Sequence, residues 1–129
     1  MRSISLQAAR RGFTTQMNRL PLLVTPREVH ERLSAKGEGL ILLDASWHMP
    51  NLKPPRDPFQ EFRQKRILGS GFWHHDIISD KTSGLPHMLP PASLFADACS
   101  RLGIKRDDHI IFYDSYGVFS SPRAAWTFR

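Results

Sequence analysis

The distribution of apolar positions divides the chain into a series of short elements. Leu22-Leu23-Val24 is a compact apolar run that predicts a short strand. Thr25-Pro26-Arg27-Glu28 then reads as a helix start. Thr stands at the cap, Pro at the first helical position and Glu three residues after the cap, closing a capping box. The helix carries Val29 and Leu33 and is expected to stop by Lys36-Gly37. Leu40-Ile41-Leu42-Leu43 is continuously apolar between Gly39 and Asp44, the pattern of a strand buried on both faces of a parallel sheet.

Pro50, Pro54, Pro55 and Pro58 make residues 48–58 a loop, after which Phe59 to Lys65 can form a short helix. Gly71-Phe72-Trp73 starts another strand, and residues 75–91 form a second long loop ending in Pro90-Pro91. Leu94, Phe95, Ala98 and Leu102 recur at helical spacing until Gly103. Ile110-Ile111-Phe112-Tyr113 is a strongly apolar strand, and a loop from Asp114 to Ser120 follows. Ser121-Pro122 predicts the cap and first position of a last helix through Ala124, Ala125 and Trp126. Strands alternating with helices imply an α/β fold with a mostly parallel sheet flanked by helices.

Composition narrows the functional classes. A length of 129 residues suits one domain and one core. The single cysteine, Cys99, excludes an internal disulfide framework and a Cys-rich zinc site. The net charge of +6 is uneven: residues 1–19 hold Arg2, Arg10, Arg11 and Arg19 and no acid, and without those four the balance is +2. Nucleic-acid binding is therefore not indicated, because no basic face interleaved with aromatics accompanies the charge. The Arg-, Ser- and Thr-rich start is instead the composition of a mitochondrial targeting segment over residues 1–19. Arg11-Gly12-Phe13-Thr14 has the look of a matrix-processing site, and a cytoplasmic location is the alternative. No apolar run is long enough to span a bilayer.

Ligands of open α/β sheets sit beyond the carboxyl ends of the strands. Three such ends carry acids: Asp44, Asp76 and Asp114. The loop after Tyr113 runs straight into a helix start, so its N–H groups could cradle an anion. Asp114 occupies that seat, and the plain expectation is that its carboxylate satisfies the loop N–H groups. Cys99 lies beside the apolar stripe of its helix with no activating neighbour, so it is not expected to be a nucleophile. His74 and His75 point to opposite faces of a strand and make poor metal co-ligands. Trp47, Trp73 and Trp126 are assigned to core or interdomain surface.

Several blocks together resemble the N-terminal domain of tandem-rhodanese sulfurtransferases. They are Leu42-Leu43-Asp44-Ala45-Ser46-Trp47, Ser79-Asp80-Lys81-Thr82-Ser83, Pro86-His87-Met88-Leu89-Pro90, Leu102-Gly103-Ile104, and Tyr113-Asp114 followed by Phe119-Ser120-Ser121-Pro122-Arg123 and Trp126. Their order and spacing match over nearly all of residues 20–129. Two positions depart from the family: His74, where an acid is usual, and Leu68, where proline is common.

The resemblance implies a rhodanese-like domain that has lost the catalytic cysteine of its partner domain, with Asp114 at the degenerate nucleophile position. It further implies sulfur transfer from 3-mercaptopyruvate or thiosulfate, through a persulfide, to a thiol acceptor such as thioredoxin or to cyanide, without cofactor or metal. In the 3-mercaptopyruvate branch, an Asp and a His of the first domain are proposed to complete a proton relay with a Ser of the second. These align with Asp76 and His87, and His87 discriminates that branch from the thiosulfate one. Arg123 is a candidate for binding an anion or contacting the partner domain. The same resemblance makes residues 20–129 an incomplete domain, lacking a last strand and helix and the second rhodanese domain. The chain alone is then expected to be marginally stable and inactive. The alternative is a short, non-catalytic rhodanese-like binding or regulatory module.

Overall fold

The computed structural model describes residues 21–35 and 39–129; the expected targeting segment lies outside them. The described residues fall into two compact units, 21–35 and 39–129. The described part of the first contains helix α1, Pro26–Ser34. The capping box is formed in full. Glu28 N–H donates to Thr25 Oγ1 at 3.3 Å, and Thr25 N–H donates to Glu28 Oε2 at 2.7 Å. Such a cap stabilises a helix start by about 1 kcal/mol. The helix is capped at its end by Ala35, and Lys36 and Gly37 lie outside the described residues. Leu22-Leu23-Val24 is not a strand: Leu22 and Leu23 are 80% and 66% exposed, and no neighbouring strand takes up their backbone groups among the described residues.

The second unit alternates strand and helix as the apolar pattern requires: β1 (Leu40–Asp44), α2 (Pro58–Gln64), β2 (Gly71–Phe72), α3 (Ala92–Arg101), β3 (His109–Tyr113) and α4 (Ser121–Thr127). The three strands pair in the order β2-β1-β3, and both pairings are parallel. In this register Asp44 lies opposite Phe72 on one side and Tyr113 on the other, so the carboxyl ends of the strands are level. β1 is the central strand, which is why its apolar run is unbroken: Leu42 and Leu43 are both buried. Leu43, Ala45, Trp73 and Ala124 form the buried core, with Phe95, Phe112 and Phe128 packed around it. Burying a residue such as Leu43 contributes about 1.5–3 kcal/mol. Trp73 belongs to the core, whereas Trp126 is 58% exposed.

Two helix starts depart slightly from expectation. α2 begins at Pro58, one residue early, because Asp57 accepts the N–H groups of Phe59 and Gln60 at 2.9 and 3.1 Å. α4 is capped by Ser120, not Ser121, and without a side-chain bond to the helix. The Ser120 hydroxyl is committed elsewhere, donating to the Ala45 carbonyl at 2.7 Å. Its oxygen accepts no N–H of the first turn, and another residue does so.

Candidate functional site

That residue is Asp114, the first position after β3. Its Oδ2 accepts the N–H groups of Phe119, Ser120 and Ser121 at 2.8, 3.0 and 2.9 Å, and its Oδ1 accepts that of Tyr116 at 3.0 Å. The loop thus wraps its backbone donors around one carboxylate and leads directly into α4. Burial pushes the Asp114 carboxyl up, but the hydrogen bonds from Ser121, Phe119 and Tyr116 outweigh it and leave the group below the usual carboxylate range. The wrap forces Val118 to φ +54°, a left-handed conformation that a β-branched residue rarely adopts.

The loop is tied to its neighbours on two sides. Ser115 N–H donates to Ser46 Oγ at 2.9 Å, joining it to the segment after β1. Arg56 donates to the Tyr116 hydroxyl at 3.0 Å while also pairing with Glu61 at 2.7 and 2.8 Å. Glu61 in turn accepts from buried His48 at 2.8 Å. Arg56, opposed by burial but aided by His48, lowers the Glu61 carboxyl to about 2.

Asp76 and His87, 11 residues apart in sequence, are in contact. His87 Nε2 lies 2.8 Å from Asp76 Oδ1, and the Trp47 indole N–H donates to the same oxygen at 3.1 Å. Burial raises the Asp76 carboxyl, while these two hydrogen bonds lower it, and the net displacement is downward. An ionised Asp76 accepts, so the His87 nitrogen facing it, Nε2, carries a proton. The His87 ring stands edge-on to Trp47, with centroids 4.9 Å apart. Its backbone is at φ +56°. Strained, non-glycine residues of this kind concentrate at functional sites.

Trp47, His75, His87, Phe119, Ser120 and Arg123 line a small cleft of about 160 Å³ at this end of the sheet. His75 is buried and its Nε2 lies 3.0 Å from the Ala45 carbonyl. A carbonyl only accepts, so that nitrogen carries the proton. Burial pushes the His75 imidazole down, more than the Ala45 bond pushes it up, and keeps it neutral. Arg123 does not face outward as a free cation: its Nε donates to the His87 carbonyl at 3.1 Å, and its Nη2 donates to the same oxygen. Of the residues singled out in the sequence, Asp76, His87 and Arg123 are brought together by the fold, and Asp114 organises the loop after β3. The one sequence clue to His75 in the wall was its adjacency to Asp76, in the turn after β2. The sequence carried no signal for Trp47 as a donor to Asp76. No cluster of three or more potential metal ligands occurs among the described residues.

No protein-family model matches the sequence. Curated relatives do. Human 3-mercaptopyruvate sulfurtransferase is 43% identical over 111 residues, covering 83% of this chain and 37% of that protein. The Arabidopsis thaliana mitochondrial thiosulfate/3-mercaptopyruvate sulfurtransferase 1 is 46% identical over 90 residues, covering 70% and 23%. The crystal structure of Tum1 from Saccharomyces cerevisiae superposes with a TM-score of 0.74 at 41% identity, covering 84% of this chain and 36% of that one. SseA from Escherichia coli, a 3-mercaptopyruvate enzyme described as having the rhodanese fold, gives 0.71 at 36% identity, covering 80% and 38%.

The chain is a rhodanese-fold homologue of the 3-mercaptopyruvate and thiosulfate sulfurtransferases.

It spans about a third or less of the length of the curated relatives it matches. In this sulfurtransferase homologue the strand-to-helix loop after β3 surrounds a carboxylate, not a thiol. Its only cysteine, Cys99, sits half-buried in α3, where burial raises the thiol pKa and leaves it protonated at neutral pH.

Proposed function

We propose that this chain is the first, non-catalytic rhodanese domain of a 3-mercaptopyruvate sulfurtransferase whose nucleophilic cysteine belongs to a second domain. In this reading Asp76 and His87 supply a proton relay across the domain boundary. The observation that carries it is the 2.8 Å contact between His87 Nε2 and Asp76 Oδ1 at the wall of the cleft. A carboxylate that fixes the imidazole tautomer makes the other ring nitrogen a better base. That nitrogen would draw a proton from a serine hydroxyl of the second domain or from the donor thiol.

The chemistry at the second-domain cysteine is nucleophilic. Its thiolate attacks the donor sulfur, the carbon–sulfur bond breaks, and pyruvate leaves after its enolate carbon takes up a proton. The sulfur stays on the cysteine as a persulfide and passes to an acceptor thiol such as thioredoxin or to cyanide. Thiosulfate can serve as a donor without the same need for an imidazole, because its leaving group, sulfite, departs without a proton. No cofactor or metal enters this scheme. The Arg-rich, acid-free residues 1–19 support a mitochondrial matrix location. So does the mitochondrial designation of the Arabidopsis relative. A yeast structural neighbour, TM-score 0.74 at 33% identity, is a sulfur transferase subunit of mitochondrial complex I.

The test uses the complete protein translated from the natural transcript, with Asp76→Asn and His87→Gln variants and both sulfur donors. Each substitution is expected to lower kcat with 3-mercaptopyruvate by about 10²-fold, the low end for a positioned acid–base group. Turnover of thiosulfate should fall far less. Equal losses with both donors, or none with either, would contradict the relay. The chain of 129 residues alone is expected to give no desulfuration above blank.

A further inference from the structure

We infer that Arg123 is a positioning residue: by gripping the His87 carbonyl it holds that residue in the left-handed backbone conformation that presents its imidazole to Asp76. The inference rests on the relay reading of Asp76 and His87, and adds to it the device that sets the relay's geometry.

A non-glycine residue at φ +56° persists only where its surroundings over-determine it. Three restraints converge on His87. The ring is held by Asp76 Oδ1 and by the edge of Trp47. The next residue closes a bridge in which Asp80 N–H donates to the Met88 carbonyl at 3.2 Å. Between them, the His87 carbonyl takes two donors from one guanidinium, Nε and Nη2 of Arg123. A planar fork delivering two N–H groups to one oxygen fixes direction as well as distance, which a lysine ammonium on a flexible stem does not.

Arg123 is itself placed by the Asp114 loop. It sits in the first turn of α4, and its own N–H donates to the Ser120 carbonyl at 3.1 Å. Ser120 and Ser121 are anchored by their N–H bonds to Asp114 Oδ2. A continuous line therefore runs from Asp114 through the start of α4 to Arg123, and from there to His87 and Asp76. The carboxylate at the degenerate nucleophile position thus seats the helix that aims the imidazole.

The experiment compares Arg123→Met and Arg123→Lys with the parent complete protein, translated from the natural transcript. It reads kcat and KM for 3-mercaptopyruvate across pH, together with the ¹⁵N imidazole spectrum of His87. Arg123→Met should lower kcat on the order of tenfold, part of what an acid–base group contributes, with little change in KM. It should also shift the imidazole limb of the pH profile and change the His87 tautomer signals, and Arg123→Lys should restore these only in part. An unchanged His87 spectrum and pH profile would overturn the inference, whether or not KM rises. A rise in KM alone would assign Arg123 to anion binding. Asp76→Asn and His87→Gln, measured alongside, separate the two ideas. If they lose turnover while Arg123→Met leaves the His87 spectrum intact, positioning fails and the relay stands. If they keep full turnover while Arg123→Met alters the spectrum, the relay fails and the positioning contact stands. Should Arg123→Met not fold, the Arg123→Lys spectrum decides alone: tautomer signals identical to the parent overturn the inference.

Discussion

Replacing Asp114 by Asn tests whether the loop after β3 is organised around a charge. The carboxylate accepts four backbone N–H groups, three of them on Oδ2. An Asn amide can present only one acceptor oxygen, so either the three donors or the single one would face its NH₂ group. A hydrogen bond to a charged group contributes about 1.5–3 kcal/mol, and the four are neither additive nor dry, because solvent reaches this largely exposed loop. A total loss of about 2–4 kcal/mol for the substitution follows from that range. The pH dependence provides an internal control. The folded-state pKa of Asp114 is depressed, so its stabilisation is fully present above the unfolded value of about 3.9 and is lost as pH falls through the folded value. Urea melts of the parent and Asp114→Asn, at pH 7 and at several values below pH 4, should show a gap that narrows with acid. A substitution with no effect at pH 7, or a gap that stays constant into acid, would refute the reasoning.

Two further substitutions or modifications probe the packing. Gly71→Ala in β2 would place a Cβ 3.0 Å from Leu102 Cδ2 and 3.1 Å from Leu43 Cδ2. Overpacking of this kind costs about 1–3 kcal/mol, read as a lower urea midpoint with an unchanged slope. Cys99, its thiol pKa raised by burial, should react with iodoacetamide at pH 7.5 more slowly than N-acetylcysteine and recover a normal rate in urea. A fast reaction in the folded protein would reopen its exclusion as a nucleophile.

The parts of the fold set by local rules were readable from the sequence. The unbroken run Leu40–Leu43 became the central strand because both its faces are covered, and Thr25-Pro26-Arg27-Glu28 formed its capping box from adjacent residues alone. Leu22-Leu23-Val24 has the same local signal as a strand but finds no partner strand among the described residues, and pairing cannot be read from a single run. The start of α4 was misplaced by one residue for a related reason. The Ser120 hydroxyl goes to Ala45, 75 positions away, and the N–H of Ser121, first in the helix, goes to Asp114.

The site divides in the same way. The pairing of Asp76 with His87 was expected from the family resemblance, and the two are in contact at 2.8 Å. The contact of Arg123 with His87 was not legible, because its partner is a backbone carbonyl 36 residues earlier, and a carbonyl has no sequence signature. The donation from Trp47 to Asp76 spans 29 residues and likewise depends on the level ends of β1 and β2. Indole rings at strand ends look the same whether they fill a core or hold a carboxylate.

The reading of this chain as one domain of a larger sulfurtransferase is tested most directly by the natural transcript downstream of the codon for Arg129. The account predicts an open frame that completes the first domain and continues into a second α/β unit, with a cysteine in the loop between a strand and a helix. A stop codon directly after Arg129, with a protein of this size accumulating in mitochondria, would contradict it and favour the non-catalytic binding module.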